Sequence, residues 1–376
     1  MIRRPRVLLL IPHLGGGGAE RVTALLARGL SRQKYDVHLA LITESCTTAH
    51  NLPQAVTVHA QGARRVRTAA ISLLRLVRGL KPDVILSSMA HLNFLVLLLR
   101  PFFPRGTRVL VRQNSTVSAV LASGALPVYT RLLYRHLYCR ADRIICQTSP
   151  MAKDLARELR ISDRQIIVLP NPIDIDAIRR TVAKPENQNL NPKSSSAGPQ
   201  LLAVGRLSPE KGFDLLLRAL ATVRPQFPEV RLLIAGAGPE EAALKAESSR
   251  LGLEATVRFL GHVDHPSTYF PGTSVFVLSS RHEGMPNALL EAAAAGLPIV
   301  ATPACDGIVD LLADRSGIWL ADEVSSEALA STLFSALQLL QPGQRFPHGF
   351  IEEFRLERVV QAYEALIDSV PKVPQL

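Results

Sequence analysis

Apolar positions along the chain fall into two alternating patterns. Short apolar runs, Val7–Ile11, Val37–Ile42, Val84–Leu86, Val109–Val111, Ile144–Ile145 and Ile166–Leu169, are bounded by charges or turn residues. Between several of them lie longer stretches, such as Ala19–Leu30 and Val128–Tyr138, with apolar residues three and four apart. The first pattern predicts buried strands and the second amphipathic helices. Strands separated by helices need crossover connections, so the predicted sheet is parallel and covered on both faces.

The alternation stops at residues 184–199, KPENQNLNPKSSSAGP, a polar segment with three prolines and a serine run. Such a segment cannot bury enough apolar surface to order itself and is expected to be a linker or mobile loop. The pattern then restarts with strand Leu201–Val204, helix Gly212–Val223, strand Val230–Ala235 and helix Glu240–Leu251. Strands Val257–Phe259 and Ser274–Leu278, helix Ala288–Ala295 and strand Ile299–Ala301 follow, and an amphipathic helix covers roughly Leu356–Ile367. This is an α/β chain of two domains. The expected boundaries are an N-terminal domain at 1–176, a linker at 177–199, a C-terminal domain at 200–350 and a helical end at 351–376. A length of 376 residues with 47% hydrophobic residues is enough for two cores. A cleft between two such domains is a usual place for a ligand.

Composition narrows the classes. The four cysteines, Cys46, Cys139, Cys146 and Cys305, show neither a C-x-x-C pair nor zinc-ligand spacing, and are expected to be buried thiols in a reducing cytosol. The opening MIRRPRVLLLIP has the charge of a signal peptide, but its apolar run is short and no small-residue cleavage site follows, so a first buried strand is expected instead. The apolar stretch Phe94–Leu99 ends at Arg100 and Pro101, far short of the ~20 residues a spanning helix needs. Charge is divided unevenly: residues 1–176 hold 25 Lys and Arg against 10 Asp and Glu, and the remainder holds 18 against 22. A basic half and a mildly acidic half imply domains with different partners.

Three constellations carry chemistry. Gly15-Gly16-Gly17-Gly18-Ala19-Glu20-Arg21 follows the first predicted strand, where glycines admit close backbone approach and a helix N-terminus attracts anions. Glu20 occupies the third glycine position of G-x-G-x-x-G, so a nicotinamide or flavin enzyme is not expected, and a plain flexible turn is the competing reading. Gly205-Arg206-Leu207-Ser208-Pro209-Glu210-Lys211-Gly212 lies between a strand and a helix and is not a P-loop. Its Arg206 fork and Lys211 point charge suit two phosphates, against the alternative of a surface charge pair. In the third, Glu283-Gly284-Met285-Pro286-Asn287-Ala288-Leu289-Leu290-Glu291, two carboxylates stand eight residues apart around a helix start. Backbone N–H groups there suit phosphate and the carboxylates suit sugar hydroxyls. Paired carboxylates also occur in glycoside hydrolysis, but beside an Arg/Lys pair they favour hydroxyl recognition.

GGAER, GRLSPEKG and EGMPNALLEAAAAGLPIVAT, in that order, resemble the signatures of family 4 of the retaining glycosyltransferases, which have the GT-B fold. ADRIICQTSPMAKDL (141–155), LPNPID (169–174) and LLIAGAGPEEAAL (232–244) fit as well, so the resemblance covers nearly the whole chain. It implies two Rossmann-like domains facing each other across a cleft, with the terminal helix packing back towards the N-terminal domain. It implies that Arg206 and Lys211 hold the donor diphosphate and neutralise the leaving group, and that Glu283 contacts the transferred sugar. Glu291 would bind the nucleotide ribose, Asn287 and the backbone at Ala288 and Leu289 would lie beside the phosphates, and Gly16 and Gly17 would admit the diphosphate from the other domain. The co-substrate would be a nucleoside-diphosphate sugar, with no other cofactor and no metal. Many members carry a His after the fifth N-terminal strand; here Val111-Arg112-Gln113-Asn114 stands there, placing Arg112 or Gln113 in its position. His91 resembles a different cleft-facing His of some members, against a structural role at a helix start. Asp174-Ile175-Asp176 matches D-x-D but falls where the family has a structural turn, and metal binding is not expected there.

The basic half adds a partner. Arg64, Arg65, Arg67, Arg75, Arg78 and Lys81 surround an apolar helical pattern, and Pro101-Phe102-Phe103-Pro104-Arg105 offers an aromatic loop. Together they predict adsorption to an anionic membrane, where each basic residue contributes about 1 kcal/mol, against the alternative of a solvated helix face. No recognition helix or set of stacking aromatics points to nucleic acid. The expectation is a cytoplasmic enzyme, peripheral on the inner face of the plasma membrane, with a lipid-linked saccharide acceptor in polysaccharide or glycolipid synthesis. Its sugar would be a hexose or N-acetylhexosamine, from a UDP-sugar by slight preference over a GDP-sugar. A nucleotide-sugar epimerase on the same fold and a non-catalytic nucleotide-sugar-binding protein are the rivals.

Overall fold

The computed structural model describes residues 3–43, 52, 55–122, 130–184 and 198–369. It divides into two compact units, Met1–Ile173 with Phe354–Leu376, and Asp174–Glu353. Most of the expected linker, 185–197, lies outside the described residues, as does Val128 at the start of one predicted helix.

The first unit runs β1 (Arg6–Ile11), α1 (Gly18–Gly29), β2 (Asp36–Leu41), β3 (Thr57–Ala60), α2 (Ala70–Leu80), β4 (Val84–Ser88) and α3 (Ala90–Leu99). It continues with β5 (Arg108–Arg112), α4 (Val117–Ala122), α5 (Thr130–Tyr138), β6 (Arg143–Cys146), α6 (Ser149–Leu159) and β7 (Ile166–Val168). The strands form one seven-stranded sheet in the order β3-β2-β1-β4-β5-β6-β7, and all pairs are parallel. Strand alternation splits the apolar residues between two cores. Val7, Leu9 and Ile11 face the core shared with Val22 and Leu26 of α1, whereas Leu8 and Leu10 face the one shared with Leu73, Val96 and Tyr134. The periodicity did not predict β3, because its edge position leaves Thr57, Val58 and Ala60 exposed and no apolar run is needed.

The second unit begins with α7 (Ile175–Ala183), then β8 (Gln200–Val204), α8 (Phe213–Val223), β9 (Arg231–Ala235), α9 (Glu241–Arg250) and β10 (Val257–Gly261). After these come β11 (Val275–Leu278), α10 (Asn287–Ala294), β12 (Ile299–Ala301), α11 (Asp306–Leu312), β13 (Ile318–Leu320) and α12 (Ser326–Leu339). Its six strands, in the order β10-β9-β8-β11-β12-β13, are again all parallel. Residues 177–183, expected in a linker, instead form most of α7. The Asp174 carboxylate caps that helix by accepting from the Ala177 N–H at 2.9 Å, and α7 packs against α10 within the second unit.

The last helix, α13 (Leu356–Ser369), returns to the first unit, where Val359, Val360 and Tyr363 share a core with α1 and β1. The return is pinned by Ile173, whose N–H donates to Phe354 O at 2.7 Å and whose carbonyl accepts from Leu356 N–H at 3.0 Å.

Both sheets change direction once, at β1/β4 and at β8/β11. Loops leaving neighbouring strands there run to opposite faces, which opens a crevice beyond the strands' carboxyl ends. The chemistry-bearing loops of the sequence follow β1, β4, β8 and β11.

Candidate active site

In the second unit the loop after β8 and the loop after β11 are fastened together. Gly212, φ +61°, ends the first loop in the left-handed region, and a Cβ there would overlap the Ser279 carbonyl oxygen and stand 3.1 Å from its carbon. Ser279 Oγ donates to Lys211 O at 2.9 Å, and Arg281 N–H donates to Glu210 O at 2.8 Å. The Arg281 guanidinium grips both carboxylate oxygens of Asp214 at 2.7 Å each, and this fork holds the Asp214 carboxyl below its ordinary pKa. On the β9 side of β8, Gly236 (φ +155°) and Gly238 leave no room for a Cβ beside Gly205 O and Leu207 O, so the turn after β9 lies directly on the GRLS turn.

This fastening brings two of the expected residues into contact. Lys211 Nζ donates to Glu283 Oε1 at 2.6 Å, with the side chains 24% and 8% exposed. Ser280 Oγ donates to the same oxygen at 2.7 Å. Arg206 stands apart, exposed at the mouth of β8 and without an ion pair among the described residues. Pro286 is the N-cap of α10, where its fixed φ suits a helix entry. Asn287 and Glu291 lie four residues apart on one buried face of that helix, Leu289 is buried and Ala288 is half-buried. The switch point of this sheet therefore carries a cation, a carboxylate, a free guanidinium and a helix start. That set suits a ligand with phosphates at one end and hydroxyls at the other.

The corresponding switch point of the first unit holds the Gly-rich loop. Gly16 has φ +89°, and Gly17 is the N-cap of α1, with the Glu20 carboxylate folded over its Cα. His13 Nδ1 is 3.4 Å from Glu20 Oε1. After β4, Met89 holds φ +80° and ψ 128°, strain of the kind found at ligand sites, and precedes His91 at the start of α3. His91 reaches the surface, while neighbouring atoms that desolvate its ring and, next, the nearby His13 keep its pKa below the ordinary value.

Arg112 requires a correction. Expected beside the substrate, it is instead 1% exposed inside the first unit's core. Its Nε donates to Tyr363 Oη at 2.9 Å and its Nη2 to Asn171 Oδ1 at 2.7 Å, so it ties α13 to the end of β5. Gln113 is buried as well, accepting from Tyr138 Oη at 2.9 Å and donating to Ser115 O at 2.8 Å. Both side chains are engaged by the fold. Sequence reasoning passed over Ser280, Arg281 and Asp214; the signal available was a pair of serines and a charge directly after a strand, S-S-R-H-E-G.

The "Glycosyltransferase Family 4" family model matches residues 16–177, and the "Glycosyl transferases group 1" model matches residues 198–338. The chain belongs to the family 4-type glycosyltransferases. Among its relatives in this family, an N-acetylgalactosamine-N,N'-diacetylbacillosaminyl-diphospho-undecaprenol 4-alpha-N-acetylgalactosaminyltransferase of Campylobacter jejuni is 27% identical over 88% of the chain and 89% of that protein. The lipopolysaccharide core biosynthesis glycosyltransferase LpsE of Rhizobium meliloti is 26% identical over 96% and 98%. The crystal structure of HepE from Anabaena with UDP and glucose superposes with a TM-score of 0.81 at 18% identity, covering 97% of this chain and 100% of that one. That likeness establishes for this glycosyltransferase a GT-B fold of two Rossmann-like domains. Among the described residues no helix is long and apolar enough to cross a membrane.

Proposed function

We propose that this glycosyltransferase moves a hexose or N-acetylhexosamine, with retention at the anomeric carbon, from a nucleoside-diphosphate sugar to a lipid-linked saccharide. A UDP-sugar is favoured as donor, and the product would serve cell-surface polysaccharide or glycolipid synthesis. The observation that carries this reading is the Lys211–Glu283 contact at the β8/β11 switch point, beside the start of α10. Lys211 and Arg206 face the diphosphate and stabilise the charge that develops as it leaves. Glu283 accepts from a hydroxyl of the transferred sugar, and Glu291 from the ribose. The acceptor hydroxyl bonds to the anomeric carbon, the bond from that carbon to the β-phosphate oxygen breaks, and the departing phosphate takes the hydroxyl proton on the same sugar face. With two cationic side chains on the diphosphate the reaction needs no metal ion, and the nucleotide sugar is a co-substrate rather than a resident cofactor.

The lipid-linked acceptor is supported by the relative that acts on an undecaprenol diphosphate and by the surface of the first unit. On α2, Ile71, Arg75 and Arg78 share an exposed face, and Arg78 Nε donates to Phe102 O at 3.1 Å. That bond sets the exposed Phe102 beside the basic helix. Apolar side chains among guanidinium groups fit an anionic bilayer, so the enzyme sits peripherally on the cytoplasmic face of the plasma membrane.

The test is nucleotide release from a panel of UDP- and GDP-sugars, without added metal, with and without a membrane lipid extract. Release that requires one donor and the extract, and that falls at least a hundredfold in Lys211→Ala and Glu283→Ala, is expected. Donor consumption without acceptor would replace this reading with an epimerase or hydrolase. Donor binding without turnover under every condition would leave a binding protein.

A further inference from the structure

We propose that Ser280 is a positioning residue of the donor site, the fixed hold that keeps Glu283 in place when the donor draws Lys211 away. The proposal rests on the reading that Glu283 accepts from the transferred sugar and Lys211 serves the diphosphate. Both hydrogen bonds to the carboxylate converge on one atom, Oε1, which accepts from Lys211 Nζ at 2.6 Å and from Ser280 Oγ at 2.7 Å. Oε2 is thereby the oxygen left to meet a sugar hydroxyl.

The two holds differ in kind. Lys211 is a flexible side chain whose ammonium has two stronger partners in prospect, the oxygens of a diphosphate. Once it turns to them, Glu283 loses one of its two donors at the moment when its orientation matters for the sugar. Ser280 cannot leave. It is 1% exposed, its carbonyl accepts from Thr302 Oγ1 at 2.6 Å, and Thr302 is itself buried at the end of β12. A short hydroxyl three residues before the carboxylate, on a loop fixed to the sheet, is therefore an anchor that survives donor binding. The loop does not depend on that hydroxyl for its shape. Arg281 is held by Asp214, Pro209 O and Glu210 O, and Ser279 by Lys211 O, so Ser280→Ala leaves the backbone supported.

The experiment is a double-mutant cycle of Ser280→Ala and Glu283→Ala on the full chain, using the donor identified by the nucleotide-release panel. The matching nucleoside diphosphate, measured by calorimetry, is the probe for the part of the site that Glu283 does not touch. Expected is a loss of about tenfold in kcat for Ser280→Ala, the scale of one hydrogen bond to a charged group. Nucleoside diphosphate affinity stays within twofold, and Ser280→Ala adds no further loss in the Glu283→Ala background. Losses that multiply in the double variant, unchanged kcat, or nucleotide affinity falling in step with kcat would each overturn the proposal, the last by showing collapse of the loop. Full activity in Glu283→Ala alone would instead overturn the reading beneath it. A crystal structure of the Ser280→Ala variant with the nucleoside diphosphate bound gives a test independent of turnover: a Glu283 carboxylate that keeps its position after Lys211 has turned to the diphosphate refutes the anchoring role.

Discussion

Gly212→Ala tests how the β8 loop is held, and its size can be worked from two separable contributions. An alanine at φ +61° lies in the left-handed region, which costs roughly 1–2 kcal/mol for a residue with a Cβ. The new Cβ would also overlap the Ser279 carbonyl oxygen, a backbone atom with no rotamer to escape into. The loop must move away, and doing so breaks the Ser279 Oγ to Lys211 O hydrogen bond, worth about 1 kcal/mol. The sum is about 2–3 kcal/mol. At about 2–4 °C per kcal/mol, the second unit should melt roughly 4–12 °C lower. Because Lys211 precedes the displaced glycine, turnover should fall by at least about tenfold, as expected when a charged group is misplaced by an ångström. Gly252→Ala is the control. Gly252 has φ +67° with nothing within 4 Å of its would-be Cβ, so it carries the backbone strain alone. Thermal unfolding and initial rates of the two variants decide the matter. If Gly212→Ala melts no lower than Gly252→Ala and keeps its activity, the close approach of the two loops is not what shapes the site.

Other outcomes follow from the same geometry. Tyr363→Phe removes the acceptor of Arg112 Nε and should destabilise the first unit by about 1.5–3 kcal/mol, with faster amide exchange in α13; an unchanged melting temperature would deny Arg112 its anchoring role. Arg281 depresses the pKa of Asp214, so this carboxylate stabilises the fold fully above its unfolded pKa, about 4, and that increment is lost as pH falls through the lower folded value. Denaturation midpoints measured from pH 7 downward should therefore fall more steeply below about pH 4 in the wild type than in Asp214→Asn, and parallel curves would count against the pair. Arg75→Ala and Arg78→Ala should each weaken sedimentation with phosphatidylglycerol vesicles by about fivefold, and Phe102→Ala should weaken it further; binding insensitive to all three would place the membrane contact elsewhere.

The legible parts of this protein were those governed by local chemistry. Val7–Ile11 or Leu201–Val204 must be buried wherever they go, and helices between them force parallel pairing, so the two-sheet architecture could be read without coordinates. Lys211 and Glu283 could be singled out because the spacings G-R…K-G and E-x7-E put charges in the loops that follow β8 and β11. Less legible was α7, whose Asp174 cap and Ile175 stand in a run of charges beside a polar, proline-containing segment, so that a helix was read as part of a linker.

Sequence alone thus determined the alternation of strands and helices and the family, since periodicity and each signature motif are written in residues within a turn or a strand of one another. Only the tertiary structure decided which of those residues meet. Lys211 and Ser280 lie 72 and 3 residues from Glu283, yet share one of its oxygens because β8 and β11 are neighbours in the sheet. Arg112 reads as a surface cation in any local window, and it is buried because Tyr363, 251 residues away, returns on α13 to accept from it. Burial of a charge depends on distant partners that satisfy it, and no periodicity in the chain records where those partners will arrive.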